Sequence, residues 1–413
     1  MSEKKKIHHA WFIMLGVAFM IGANGGAFLN AGGVFFNFIV ADLGISLGQL
    51  TLYISFFFVF HTLIMPLVGK MLPTCNIRVV LSVCIVVLCL AEAAMFFYTE
   101  PWQWWISGAL FGIFGGFVII VPGPILIENW FFKRKGFAMG LAMCASGVGG
   151  AIFSIVCNSF ISAYGWRMAY VLTAIVVALV SLPWTMFVFR FKPADMGLKP
   201  YGWNKNASVE SAANRPGLPK KVAIRTLAFW ALFIFCGIEA LFSGYNGHLP
   251  GFSVSIGLGP DFGAQMLSAS MIGYVVATIF IGPIMDKFNA YKPTAVIIVI
   301  AAISLLGFAF VRDPLGLMIC AFVFGLNSIM VAVSLPMLLS DVFGNKDYAG
   351  IMAYARMCGI IGSFGSTAIG FSYDSLNTFV PAFFGGIVVL AVCAIMLAIA
   401  YLQRKKIKQL WVE

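Results

Sequence analysis

Long apolar stretches alternate with short polar segments along almost the whole chain. Each stretch extends over about 20 residues or more, the length that a helix needs to cross a bilayer. Strands of a membrane barrel would instead alternate between apolar and polar positions over about ten residues. Because lipid cannot satisfy backbone hydrogen bonds, the pattern predicts spanning helices. Twelve spans are predicted, at about 11–40, 47–70, 76–99, 102–127, 135–163, 166–190, 224–256, 262–286, 291–311, 314–339, 346–373 and 379–403.

One long polar segment interrupts this pattern near the middle of the chain. Residues 191–222 contain several prolines with Asn, Ser and Lys between them, which is typical of a linker. We therefore predict a six-helix bundle over residues 1–190, a cytosolic linker over 191–222 and a second six-helix bundle over 223–413.

The two predicted bundles resemble each other in sequence. Glu128 and Asp341 are separated by the same number of residues as Gly69 and Gly282, and each pair occupies matching span ends. Parallel repeats of this kind occur in secondary transporters, whose substrate site lies near the membrane midplane between the repeats. The predicted fold is an all-α polytopic membrane protein with two pseudo-symmetric bundles.

The composition supports the bilayer assignment. Hydrophobic residues make up 61% of the chain and charged residues only 10%, whereas soluble domains carry roughly 25% charged residues. Of the 26 Lys and Arg residues, only Arg167, Arg312 and Arg356 lie away from one predicted side. Basic residues favour the cytosolic side. The sequence thus predicts a cell-membrane protein with both termini in the cytoplasm.

The net charge of +11 is explained by this topology and by attraction to lipid headgroups, so no nucleic-acid partner is expected. The nine cysteines lie in or near apolar runs, without a CxxC motif or a Cys/His cluster. They are interpreted as packing residues, and no metal or cofactor is predicted.

The loop after predicted span 8 carries a recognisable motif. Residues 282–292, with Asp286 followed by Lys287, resemble the loop signature G-x-x-x-D-R/K-x-G-x-x-R/K of the major facilitator superfamily. The equivalent loop at residues 69–78 lacks the acid and its neighbouring base. The resemblance implies that Asp286 and Lys287 contribute to gating contacts, and Glu128 and Asp341 are assigned the same role from their cytosolic helix ends.

Three further segments are similar to the monocarboxylate transporter and oxalate/formate antiporter branch of that superfamily. They cover both halves, at residues 129–140, 191–202 with 225–230, and 340–344 with Gly350 and Arg356.

Arg356 is the leading candidate for substrate contact. It is the one basic residue placed well inside a predicted span, about ten residues from its start, and it follows Gly350 at the spacing at which the branch carries a cation. Its planar guanidinium suits a carboxylate bidentately. Relatives also carry a cation where this chain has Thr278, so a single carboxylate is expected. The alternative is a permanent ion pair with Glu239.

Two other ionisable residues inside predicted spans are candidates for proton coupling. Glu239 lies in the middle of span 7 and is able to carry a proton or to pair statically with Arg356. His61 lies in the middle of span 2, where it either handles protons or donates to a backbone carbonyl. Glu92 ranks below them because span 3 is usually peripheral in this fold. Polar and aromatic residues predicted to line the substrate site are Asn24, Phe28, Tyr53, Tyr274 and Asn327.

These features predict a secondary active transporter of small organic anions, chiefly monocarboxylates, that works by proton symport or anion exchange. The alternatives are an efflux carrier for hydrophobic or amphiphilic compounds and a membrane sensor that does not transport. An enzyme is not expected, because no nucleophile–base set is recognisable. The expected partners are a carboxylate, protons and membrane lipids, and the chain is expected to be a monomer.

Overall fold

The computed structural model describes residues 8–203, 217–328, 330, 334–344, 346–362 and 364–411. Within these residues the regular elements are helices. Strand-like pairing is limited to isolated β-bridges. The helices of the first half are α1 (His9–Asn24), α2 (Phe36–Leu43), α3 (Leu47–Thr74), α4 (Ile77–Ala94), α5 (Pro101–Gly115), α6 (Pro122–Trp130) and α7 (Lys135–Pro183).

The second half is built in the same way. Its helices are α8 (Lys220–Ala223), α9 (Leu227–Ser255), α10 (Gly259–Phe288), α11 (Tyr291–Phe310), α12 (Pro314–Gly325), α13 (Leu335–Phe343), α14 (Tyr348–Arg356), α15 (Gly359–Gly362), α16 (Gly365–Leu376) and α17 (Val380–Lys408).

The described part of the chain contains nine segments that are long and apolar enough to cross a membrane. They confirm the prediction of an all-helical, multi-pass membrane protein. One segment, Phe137–Val188, covers predicted spans 5 and 6, because the backbone leaves helical geometry only at Gly165 (φ 79°, ψ 160°). Predicted spans 10 and 11 consist of the shorter helices α12 to α16. The total of twelve spans stays a prediction.

The two ends of the predicted linker contact different halves of the chain. The backbone N–H of Tyr201 donates to the carbonyl oxygen of Trp130 at 2.8 Å, and that of Leu218 donates to Phe343 at 2.8 Å. Residues 204–216 between them lie outside the described part. The assignment of the two bundles as domains stays a prediction.

Glycines allow α7 to pack at very short distance against α1 and against the π-helical segment Gly25–Asn30 that follows it. A Cβ atom at Gly149 would collide with the carbonyl oxygen of Gly22, and one at Gly150 would lie 2.8 Å from the Cβ of Asn30. Small residues permit such close approach between membrane helices. Gly149 and Gly150 therefore cannot carry larger side chains unless the helices move apart. Gly140, in contrast, faces open space.

This difference provides a matched pair of substitutions. Gly149→Ala is expected to lower the melting temperature of the purified protein, because forcing a methyl group against backbone typically costs roughly 1–3 kcal/mol. Gly140→Ala is expected to be neutral or slightly stabilising, because a Cβ there meets no atom within 4 Å and alanine favours helix. Equal melting temperatures for the two variants in detergent would contradict the described helix crossing.

Candidate functional site

The two halves are joined where α3 begins and α16 ends. The carboxylate of Asp374 accepts hydrogen bonds from the backbone N–H groups of Leu47 at 3.0 Å and Gly48 at 2.8 Å, and from the hydroxyl of Ser46. Because first-turn N–H groups have no partner inside their own helix, Asp374 satisfies donors that would otherwise need water. Its negative charge also lies at the positive end of the α3 dipole. We call this end of the interface the capped end.

Contacts between the halves continue from the capped end toward the middle of the molecule. The hydroxyl oxygens of Ser55 in α3 and Thr367 in α16 lie 3.0 Å apart and share a hydrogen bond. Between α7 and α10, the side-chain amide of Asn158 donates to Asp261 at 2.5 Å. These bonds close the interface over the first turns of α3 and α10.

The opposite end of the interface is more open. A Cβ atom at Gly140, near the start of α7, or at Gly359, at the start of α15, would meet no atom within 4 Å. The side chains of Tyr354 and Met357 are exposed in the same region. The described conformation is therefore closed at the capped end and open toward the end where α7 begins.

Arg356 lies at this opening. It is the last residue of α14, its side chain is exposed, and it makes no ion pair or hydrogen bond with any described residue. The next helix of the predicted span, α15, begins three residues later and packs against α3 of the first half and α9 of the second half. Arg356 thus lies just before the part of the span that contacts the first half.

Glu239 is buried in α9 and has a different partner from the predicted one. The thiol of Cys393 in α17 donates to its Oε1 at 3.4 Å. Among the described residues Glu239 forms no ion pair, so the permanent pair with Arg356 is not present in this conformation. Arg356 is therefore available to a ligand in this conformation.

Two of the predicted lining residues meet inside the first half. Phe28 and Tyr53 line a cavity of about 30 Å³, together with Phe111 and Ile119. Phe28 and Ile119 belong to π-helical segments, Gly25–Asn30 and Gly116–Ile120, and such segments are frequent at functional sites. A cavity of this size has room for about one water molecule, so it is no substrate pocket in this conformation.

Glu92 lies close to this cavity. It is buried in α4, one turn after the cavity residue Leu88, and interacts electrostatically with Tyr53. Its side chain therefore faces the interior of the first half.

His61 and Asn24 pack inside the first half, away from Arg356. The ring of His61 stacks on Phe57 with 5.5 Å between centroids. The side chain of Asn24 donates to the hydroxyl of Ser181 at 2.9 Å and to a backbone carbonyl of its own helix. Neither residue is brought together with Arg356.

Tyr274 and Asn327 occupy separate positions in the second half. The ring of Tyr274 packs against Gly147 of α7, and thus at the contact between the halves. Asn327 is buried in a short turn after α12, where its Oδ1 has no hydrogen-bond partner among the described residues. A buried oxygen without a partner can accept a hydrogen bond from a ligand, and leaving it unpaired costs free energy.

The predicted gating residues lie at the open end. Asp341 forms ion pairs with Arg404 Nε at 2.5 Å and Lys408 Nζ at 2.8 Å, and these tie α13 to α17 within the second half. Glu128 and Lys287 are exposed. The side chain of Asp286 lies outside the described residues.

Sequence reasoning did not identify Asp374 as a functional residue. It lies one residue beyond predicted span 11, in the predicted connection to span 12. The sequence does contain a signal for this contact. It is an acidic residue at the end of a span, together with a helix in the other half that begins after a serine.

Comparison with known proteins identifies the family of the chain. The profile of the Major Facilitator Superfamily matches residues 10–367 and 255–411. The chain belongs to the major facilitator superfamily. It is a membrane transporter of that family, which confirms the superfamily prediction from the loop motif.

Relatives differ in what their names say they transport. The chain is 25% identical to the MFS-type transporter hasB of Aspergillus fumigatus over 73% of its length and 67% of the relative. It is 25% identical to a multi-drug resistance efflux pump PmrA homolog of Lactococcus lactis, over 78% of each chain. The riboflavin transporter RibJ of Trypanosoma brucei brucei is 29% identical over 26% of this chain and 21% of its own.

Solved structures share the fold. The nucleoside transporter NupG superposes with a TM-score of 0.73 at 12% identity, covering 95% of this chain and 100% of its own. A bacterial homolog of the human lysosomal transporter Spinster, in an inward-facing and unoccupied conformation, superposes with a TM-score of 0.69 at 14% identity, covering 99% and 98%.

Proposed function

We propose that the chain transports small organic anions, chiefly monocarboxylates, by alternating access, with the substrate carboxylate bound by Arg356. The observation that carries this proposal is an exposed guanidinium at the open end, which makes no ion pair or hydrogen bond with a described residue. An arginine at membrane depth is costly unless it meets an anion or water. Its fixed fork of donors matches one carboxylate.

The proposed number of carboxylate groups on the anion depends on Thr278. The position that carries a second cation in the resembling branch is Thr278, whose hydroxyl donates to the carbonyl oxygen of Tyr274 at 2.8 Å. A second carboxylate would therefore lack a counter-charge there. This supports a substrate with one carboxylate. The resemblance of residues 129–140, 191–202 and 340–344 supports membership of the monocarboxylate and oxalate/formate branch.

Orientation completes the proposal. The chain lies in the cell membrane with both termini in the cytoplasm, because its basic residues concentrate on that side. In this orientation the capped end faces outward and the opening at Arg356 faces the cytoplasm.

A counterflow assay in proteoliposomes tests the function. Vesicles loaded with unlabelled lactate are expected to accumulate labelled lactate transiently, since only a carrier exchanges substrate across the membrane. Formate and other short acids should compete, whereas dicarboxylates should compete weakly. A ligand sensor would bind lactate without counterflow, and that result would refute the transport proposal.

Efflux of hydrophobic compounds is the second candidate, and the similarity to the efflux pump homolog of Lactococcus lactis supports it. Competition by bulky amphiphilic cations, without competition by short acids, would favour this candidate over anion transport.

Glu239 provides the test of proton coupling. Glu239→Gln is expected to abolish lactate accumulation driven by a pH gradient while leaving counterflow intact, because glutamine keeps the shape but carries no transferable proton. Glu92→Gln, at a buried carboxyl of the other half, serves as the matched control and should keep both activities. Unchanged gradient-driven accumulation by Glu239→Gln would assign that residue a static role.

A further inference from the structure

A deep groove runs along the outside of the second half, between α10 and α11. Its volume is about 430 Å³, and all but one of its lining residues are apolar. Ala277, Ile281 and Ile297 are buried and form its floor. Phe280 and Val296 are exposed and form its walls. The groove therefore faces the lipid and is deep enough to enclose part of a bound molecule.

Two lysines mark one end of this groove. Lys292, at the start of α11, is its one polar lining residue. The ammonium group of Lys287 lies 5.3 Å from the ring centroid of Phe288, which also lines the groove. Both lysines are exposed, and neither makes an ion pair or a hydrogen bond with a described residue. Their charges are thus available to a ligand in the groove.

The lysine end lies at one face of the membrane. The ring of Tyr291 is 5.0 Å from that of Tyr401, and Arg404 lies over the same tyrosine. The groove therefore begins at the level where α17 ends. From Lys292 to Ile300 it follows α11 for about 12 Å, which lies within one leaflet of a hydrocarbon core about 30 Å thick.

We propose that the groove binds one anionic phospholipid of that leaflet, with an acyl chain along α10 and α11 and the phosphate on Lys287 and Lys292. Apolar walls do not discriminate between lipids, because every lipid tail is equally apolar. Selection must come from the headgroup, and basic residues next to membrane helices attract anionic headgroups. A zwitterionic lipid fits the same groove but gains less from the two positive charges.

Native mass spectrometry of the full-length chain tests this site. Detergent-purified protein is mixed with phosphatidylglycerol or phosphatidylcholine of identical acyl chains. The wild type is expected to retain one phosphatidylglycerol in preference. The double variant Lys287→Gln/Lys292→Gln should bind it roughly ten- to thirtyfold more weakly, since each basic residue contributes about equally to headgroup attraction. Lys405→Gln/Lys406→Gln, with exposed charges on α17 at the same membrane face, should retain it.

Two further measurements test the contribution of the groove to lipid binding separately from that of the two lysines. Ala277→Phe fills the floor of the groove and is expected to weaken phosphatidylglycerol binding although both lysines remain. Glycerol phosphate, which has the headgroup chemistry without acyl chains, should not displace the lipid. Equal retention of both lipids by the wild type, equal loss in the two lysine variants, or displacement by glycerol phosphate would each overturn the proposal.

Discussion

Arg356→Ala is expected to abolish carrier-mediated uptake of lactate into proteoliposomes while leaving the protein folded. A hydrogen bond to a charged group contributes about 1.5–3 kcal/mol, so loss of a bidentate pair weakens binding by about a hundredfold or more. The side chain makes no ion pair or hydrogen bond with a described residue, so its truncation breaks no such bond in this conformation. Uptake and melting temperature measured on the same preparation distinguish lost binding from lost folding.

Two control variants sharpen this experiment. Arg356→Lys keeps the charge but loses the planar fork, so it should retain weak uptake with a raised KM. Arg312→Ala removes an exposed arginine that donates only to nearby backbone carbonyls, and it should transport normally. Wild-type uptake by Arg356→Ala would refute the substrate assignment while leaving the transporter fold intact.

The helices could be predicted because the formation of each one depends mainly on the residues within it. An apolar run of sufficient length must form a helix in lipid, whatever its neighbours are. The turn between predicted spans 5 and 6 was placed at residues 163–166, and the backbone departs from helical geometry at Gly165. The subdivision of span 11 into α14, α15 and α16 was not predictable, because an apolar run does not show where its backbone hydrogen bonds are interrupted.

The interface between the halves was less predictable, because it depends on residues far apart in the chain. Asp374 and its partner Ser46 are 328 residues apart, and nothing local to either marks them as partners. For Glu239 the sequence left two alternatives open. Its position beside Cys393 follows from the packing of α17 on α9, which the hydrophobic pattern of either helix alone does not determine.

The contacts at the capped end also suggest how the conformation changes. Asp374 is exposed and Ser46 is half-buried, and the bond between them is open to solvent, so water can replace the bonds to the start of α3 when the halves separate. The Ser55–Thr367 bond is buried and lies further toward Arg356. Alternating access requires this second bond to break, since it joins α3 to the span that carries the proposed substrate residue.

Joining these two positions covalently should therefore stop transport. Ser55→Cys/Thr367→Cys, made with Cys75→Ser to remove the exposed native thiol, places two thiols where hydroxyl oxygens now lie 3.0 Å apart. That separation is close enough for a disulfide after small shifts. Oxidation with copper phenanthroline is expected to abolish both uptake and counterflow, and dithiothreitol should restore them. The locked protein should still bind lactate in a thermal-shift assay, because the opening at Arg356 is preserved.

A matched pair inside one half provides the control. The hydroxyl oxygens of Ser82 and Thr185 lie 2.9 Å apart, between α4 and the segment after α7, and both belong to the first half. Ser82→Cys/Thr185→Cys should therefore form a disulfide of similar geometry without blocking transport, because no rigid-body movement separates these positions. Full transport by the oxidised Ser55→Cys/Thr367→Cys protein, with the crosslink verified by mass spectrometry, would show that α3 and α16 stay together throughout the cycle.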